Sequence, residues 1–248
     1  MSEFLYILEN EVQIVALSFM GIVYILRIWW LTRYKASIER QAPTHSPSSG
    51  GESAGIMFSM MNVAMPWSME STRNSKTVIT YSKEKWGNQV EVKRLAGLGF
   101  YLQFTIFHIA ALLTIGVTFI IPYWPFILEN KTVVLIFQII VACGLLVGLY
   151  RLYRRLSNPV MRAISTPDDI FSLLLLDAFL ISALFAIPNN YEKSEWPLII
   201  FFIMTTFFLI YVPFSKISHY LYYPFTRFYL GKTFGRRGTY PKGKTGTR

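Results

Sequence analysis

Five long apolar runs, separated by charged or polar segments, constrain this 248-residue chain more than any other feature. They lie at residues 12–31, 98–121, 133–150, 170–187 and 198–211, the last continuing to about residue 223. A helix needs roughly 20 apolar residues to cross a hydrocarbon core of about 30 Å. The runs are continuous rather than alternating, which argues against β-barrel spans. Only 15% of residues are charged, against about 25% in soluble domains. The expectation is an all-α integral membrane bundle of five transmembrane helices. The first run does not read as a signal peptide. It follows acidic residues (Glu3, Glu9, Glu11) where a basic stretch is expected, and it exceeds an apolar core of about 7–15 residues.

Charge orients the bundle. The net charge is +10, and it is unevenly spread. Residues 1–11, 122–132 and 188–197 together carry two Lys/Arg, Lys131 and Lys193. The first loop, residues 32–97, carries nine, the third loop four (Arg151, Arg154, Arg155, Arg162), and the tail from Lys216 eight. The positive-inside rule then puts the N-terminus outside and the C-terminus in the cytoplasm. Topology and attraction to anionic lipid account for most of the basic surplus. No base-stacking module is visible, so nucleic acid is not an expected partner.

The first loop opens with a Ser/Gly/Pro-rich stretch, residues 42–55, that reads as flexible linker. Residues 56–69 follow, with five methionines and a tryptophan interrupted by Pro66. They suit either an interfacial segment on the inner leaflet or an adaptable docking surface for a partner. Residues 78–81 could form a short strand. The tail, residues 231–248, has six Lys/Arg and no acid, which reads as an extended segment on lipid or on a soluble partner.

One cysteine, Cys143, lies within the third run and reads as a packing residue. A single cysteine can neither ligate an iron–sulfur cluster nor form a disulfide framework. A redox role inside the membrane would therefore rest on histidine. His45 sits in the linker, His108 well inside the second run and His219 beyond the fifth apolar run. A histidine at membrane depth is a functional candidate, beside the alternative of a neutral imidazole bonded to a neighbouring helix. The second and fifth spans run in opposite directions. His108 and His219 can therefore face one planar ligand in the inner half of the bilayer. Imidazole suits iron, and bundle cores host cofactors. Straight helices at about 1.5 Å per residue do not bring the two to equal depth, so a tilt or a kink near Pro213 is required. Asp177 is the one acid deep in a span. It reads as a proton relay, or as a buried acid paired with a cation or kept neutral. Asp168 and Asp169 follow Thr166-Pro167 and read as N-terminal capping of the fourth span.

Four pieces of residues 97–230 carry a family resemblance: GFYLQFTIFHI in the second span, YRRLSNPVMRAISTPDDI in the third loop, AIP after the fourth span, and PFSKISHYLYYP at the fifth. The most specific is a PFS(K/R)xxH motif. The chain resembles the gamma subunit of respiratory nitrate reductase, a five-span membrane cytochrome b. It is also similar to relatives in sulfite-reductase-linked, heterodisulfide-reductase-type and hydrogenase-linked complexes. The resemblance implies haem b ligation by His108 and His219 at the haem nearer the cytoplasm. The outer ligand positions differ: residues 113–119 hold no histidine, and the fifth-span position is Phe201. One haem is therefore implied, not two.

Arg155, Arg162 and Lys216 lie where an inner haem would present its propionates, and equally suit ordinary topology charges. The implied function is an electron-transfer subunit between a membrane quinone and an iron–sulfur partner subunit on the cytoplasmic face, in the cell (inner) membrane. The alternative is a redox-inactive membrane anchor for a catalytic partner. A small transporter lined by Asp177, His108 and Gln138 lacks the repeats and broken helix pairs of such folds.

Overall fold

The computed structural model describes residues 1–33, 51–61 and 97–236. All regular structure among the described residues is helical. Five helices are long and apolar enough to cross a membrane: Glu3–Arg33, Leu102–Tyr123, Lys131–Ser157, Pro167–Ala186 and Trp196–Phe214. Each coincides with one of the five apolar runs. Helices are the expected solution in lipid, because they satisfy backbone N–H and C=O groups within one segment. At most 50% of any apolar window is buried inside the protein, which leaves the remaining side chains to face lipid.

We label the helices α1 (Glu3–Arg33), α2 (Gly51–Met61), α3 (Gly97–Tyr123), α4 (Lys131–Ser157), α5 (Pro159–Ile164), α6 (Pro167–Ala186), α7 (Trp196–Tyr211) and α8 (His219–Arg236). The chain divides into two compact units, Met1–Lys35 with Phe104–Leu221 and Ala36–Gln103 with Tyr222–Arg248.

In the first unit, α6 packs between α4 and α7, and α1 packs along α7. The core is aliphatic and aromatic, with Val117, Val141, Phe179, Leu180, Phe201 and Phe202 fully or almost fully buried. Helix starts are built from the sequence. Asn130 accepts the Thr132 N–H at 2.9 Å to cap α4. Thr166 and Asp169 form a reciprocal capping box on α6, with Pro167 at its first turn. The capping reading of this segment holds, with Asp169 rather than Asp168 closing the box. Helix directions follow from contacts. The Ser2 N–H donates to Glu195 Oε1 at 2.5 Å, beside the start of α7. Near the other ends, the Tyr24 hydroxyl bonds the Tyr220 hydroxyl. So α1 and α7 run parallel.

Small residues let α3 and α4 approach. A Cβ on Gly144 would collide with the Cβ of Ala110, and one on Gly148 would lie 3.0 Å from Phe107 Cε2. These two glycines stand four apart, the spacing that brings helix backbones together in lipid. The polar ties are interhelical: Gln138 Nε2 donates to Leu184 O at 3.2 Å, joining α4 to α6.

Several expectations are corrected. The fifth span does not continue to residue 223. Val212–Phe214 and Lys216–Ser218 are short 3-10 turns, separated by an extended Ser215 (φ −100°, ψ 170°), and His219 opens α8. Pro213 lacks the N–H that a continuing α-helix would use there. Cys143 is exposed on α4 rather than packed.

In the second unit, residues 51–55 are not linker but the start of α2, and residues 231–236 are not extended but the end of α8. The reason is mutual: Gly51 and Gly55 meet Gly231 and Gly235. A Cβ on Gly55 would lie 2.6 Å from Gly235 Cα, and one on Gly231 2.6 Å from Ile56 Cα. Glu52 pins the pair, with Lys232 Nζ at 3.0 Å and Arg236 Nε at 2.7 Å. His45, residues 78–81 and residues 62–69 of the methionine-rich segment lie outside the described residues.

Candidate functional site

His108 projects from α3 and His219 opens α8, both within the first unit. Their ring centroids lie 6.2 Å apart, with the planes at 85°. The break after α7 makes this possible. Two tight turns and an extended Ser215 redirect the chain, so His219 need not continue the axis of α7. This is the kink that straight-helix geometry demanded, and it lies at Pro213 and Ser215.

Each imidazole is held through Nδ1. His108 Nδ1 is 2.7 Å from Phe104 O, and His219 Nδ1 is 3.2 Å from Lys216 O. A carbonyl oxygen can only accept, so each contact requires the proton on Nδ1, which in a neutral ring leaves Nε2 to act as ligand. Metal-binding histidines are commonly oriented in this way. Phe104 lies over His108 with ring centroids 3.9 Å apart, fixing its plane.

The pair can be tested against a bis-imidazole metal group. Two metal–imidazole bonds of about 2.0–2.1 Å would allow the centres of two imidazoles on one metal to stand up to about 6.4 Å apart. The observed 6.2 Å lies within that reach, so the two rings are close enough to share one metal. His108 is half-buried and His219 exposed, so the site is accessible to a bound group. No cluster of three or more His, Cys, Asp or Glu able to hold a metal ion occurs among the described residues. A haem would need only two such ligands from the chain, which His108 and His219 could supply.

Two of the cations near this end have partners of their own. Lys216 Nζ donates to Thr166 Oγ1 at 2.8 Å and Asp169 Oδ1 at 3.0 Å, with Asp168 Oδ2 at 3.8 Å. Its closest contribution to the histidine pair is its backbone carbonyl. Arg155 Nη1 donates to Ser165 Oγ at 2.9 Å. Arg162 is exposed on α5.

Asp177 on α6 is 3% exposed, and neither carboxyl oxygen has a hydrogen-bond partner. It faces Gly148 of α4, where a Cβ would lie 2.8 Å from its Cγ. The Arg151 guanidinium, three residues beyond Gly148, acts on it electrostatically and lies 5.0 Å from the Phe107 ring centre. Phe107 in turn neighbours His108, with centroids 6.3 Å apart. Asp177 therefore reaches the histidine region through Arg151 and Phe107, not by direct contact. Sequence reasoning counted Arg151 only as a topology charge and did not single out Gly148. The Gly-x-x-x-Gly spacing and the Arg one turn later were the available signals.

The fifth-span position without a histidine is filled. Phe201 is fully buried and stacks on Phe179 at 5.6 Å between centroids, with 1° between planes. No protein-family model, curated protein or solved structure matches the chain.

Proposed function

We propose that this protein is a cytochrome b membrane subunit of a respiratory redox complex, working between a membrane quinone and an iron–sulfur partner subunit. One observation carries the reading. Two imidazoles from separate helices stand 6.2 Å apart, each with Nδ1 held by a backbone carbonyl. His108 and His219 would hold one haem b through Nε2, and that group supplies one-electron oxidation and reduction when bound. The carbonyls of Phe104 and Lys216 fix the ring planes and raise the basicity of the ligating nitrogens. The stacked Phe179 and Phe201 fill the core where a second group would need space, which favours a single haem.

The surplus of Lys/Arg in the first loop, the third loop and the tail supports an outside N-terminus and a cytoplasmic C-terminus. The histidine pair then lies toward the cytoplasm, and the iron–sulfur partner docks there. The membrane would be the cell (inner) membrane. Of the propionate candidates, Arg155 and Arg162 are better available than Lys216, whose ammonium already meets two carboxylates. Asp177, with two unpartnered oxygens beside Arg151, would hold and pass a proton during quinone chemistry.

Purified protein reduced with dithionite should show a b-type spectrum with one haem per chain by pyridine haemochrome. His108→Ala and His219→Ala should each abolish it while the protein still inserts. Full haem retention in either variant would refute the pairing. A haem-free wild-type protein would leave the membrane-anchor reading.

A further inference from the structure

We infer a proton-binding site shared by the Glu9 carboxyl and the Gln13 amide oxygen, at the end of the bundle opposite the histidine pair. The inference is independent of haem. Glu9 lies near the end of α1 that meets the start of α7, whereas Tyr24 of α1 reaches Tyr220, next to His219. Glu9 and Gln13 are one turn apart, and only 7% and 8% exposed. A π-turn, Leu8–Val12, contains Glu9 and ends directly before Gln13. Such turns interrupt regular helix geometry and are frequent at functional sites.

The Gln13 amide has a fixed orientation. Its Nε2 donates to Thr206 Oγ1 at 2.7 Å, Phe202 O at 2.9 Å and Leu8 O at 3.3 Å. Rotating the amide would place its oxygen against two carbonyl oxygens. Oε1 is thus committed to the other side, where it is buried without a donor. A buried acceptor without a donor carries its full desolvation penalty. Glu9 has the complementary problem, since a carboxylate on a mostly buried side chain of a membrane helix is costly without a cation or a proton. No ion pair reaches Glu9 among the described residues.

Both side chains line one cavity of about 20 Å³, room for a single water. From α3 it is lined by Thr118, Phe119, Pro122 and Tyr123, and from α7 by Leu209. Among the described residues, Glu9 and Tyr123 are the only titratable groups lining it, and neither α3 nor α7 brings a charge to it. One proton answers both needs. A neutral Glu9 buries no charge, and its O–H donates to Gln13 Oε1, directly or through one water. Uptake forms one O–H bond on the carboxylate and moves no electrons. Release restores the carboxylate and leaves Gln13 Oε1 without its donor. In a chain that crosses the membrane, this site exchanges protons with the side away from the histidines.

The test is infrared difference spectroscopy of the whole protein in lipid vesicles, recorded against pH. A protonated-carboxyl C=O band should disappear as pH rises. Glu9→Gln should remove it, while Asp177→Asn should leave it. Gln13→Leu, which keeps the carboxyl but takes away its acceptor, should move the band to higher wavenumber. A band unaffected by Glu9→Gln would overturn the site, and one unmoved by Gln13→Leu would overturn the sharing. Loss of the band on adding sodium at fixed pH would make this a metal-cation site instead. Because the spectra need no haem, their failure and that of the haem reading are separable.

Discussion

Gly148→Ala isolates the fit between α4 and Asp177. A Cβ at residue 148 would stand 2.8 Å from Asp177 Cγ and 3.0 Å from Phe107 Cε2. Carbon atoms pack at about 3.5–4.0 Å, so the carboxyl must retreat by about 1 Å into a close-packed interface. Overpacking of this size costs about 1–3 kcal/mol, offset by up to about 1 kcal/mol from the helix preference of Ala over Gly. Removing the obstructing carboxyl should relieve most of that cost and leave the milder 3.0 Å contact with Phe107 Cε2. In an Asp177→Ala background, Gly148→Ala should be close to neutral, giving a coupling of about 1–3 kcal/mol across the cycle. Thermal unfolding in detergent measures it, at about 2–4 °C per kcal/mol for a chain of this size. If Gly148→Ala lowers Tm equally in both backgrounds, the carboxyl is not what Gly148 accommodates, and the proposed place of Asp177 in the site fails with it.

Three further outcomes are expected. Gly55→Leu should separate α2 from α8, because its Cβ meets Gly235 Cα at 2.6 Å and backbone cannot yield. Amide exchange across residues 51–61 should accelerate by more than about tenfold. The same pair should loosen in acid. Hydrogen bonds from Arg236 and then Lys232 hold the Glu52 carboxyl below its ordinary range. A depressed folded-state pKa contributes stability above the unfolded value of about 4.3, lost as pH falls through the lower folded value. Exchange in α2 should rise on acidification, and Glu52→Gln should remove that dependence. Gln13→Leu removes the ties from α1 to Phe202 O and Thr206 Oγ1. It should cost about 0.6–1.7 kcal/mol, the range for interhelical bonds in membranes, read as a lower midpoint in detergent unfolding. An unchanged midpoint would mean that α1 is held by apolar packing alone.

Five continuous apolar runs determined the helical class and the number of spans, because lipid leaves the backbone few alternatives. The caps were equally legible: Thr166-Pro167-Asp168-Asp169 carries its own instruction for starting α6. Local sequence also marked His108, His219 and Asp177 as the polar groups that a bilayer makes expensive. It did not reveal their neighbours. The break at Ser215 depends on how α7 packs, so a run that looked continuous to residue 223 hid the turn that brings His219 back to His108. Glycines at 51, 55, 231 and 235 read as linker and extended tail in isolation, because helix formation there is supported by the partner helix and not by propensity. Lys216 likewise looked like a free boundary cation until α6 brought two carboxylates to it. Composition and periodicity set which segments enter the membrane. Only tertiary packing decided which side chains meet there, because those contacts join residues far apart in the chain through helix directions and close approaches that no local pattern encodes.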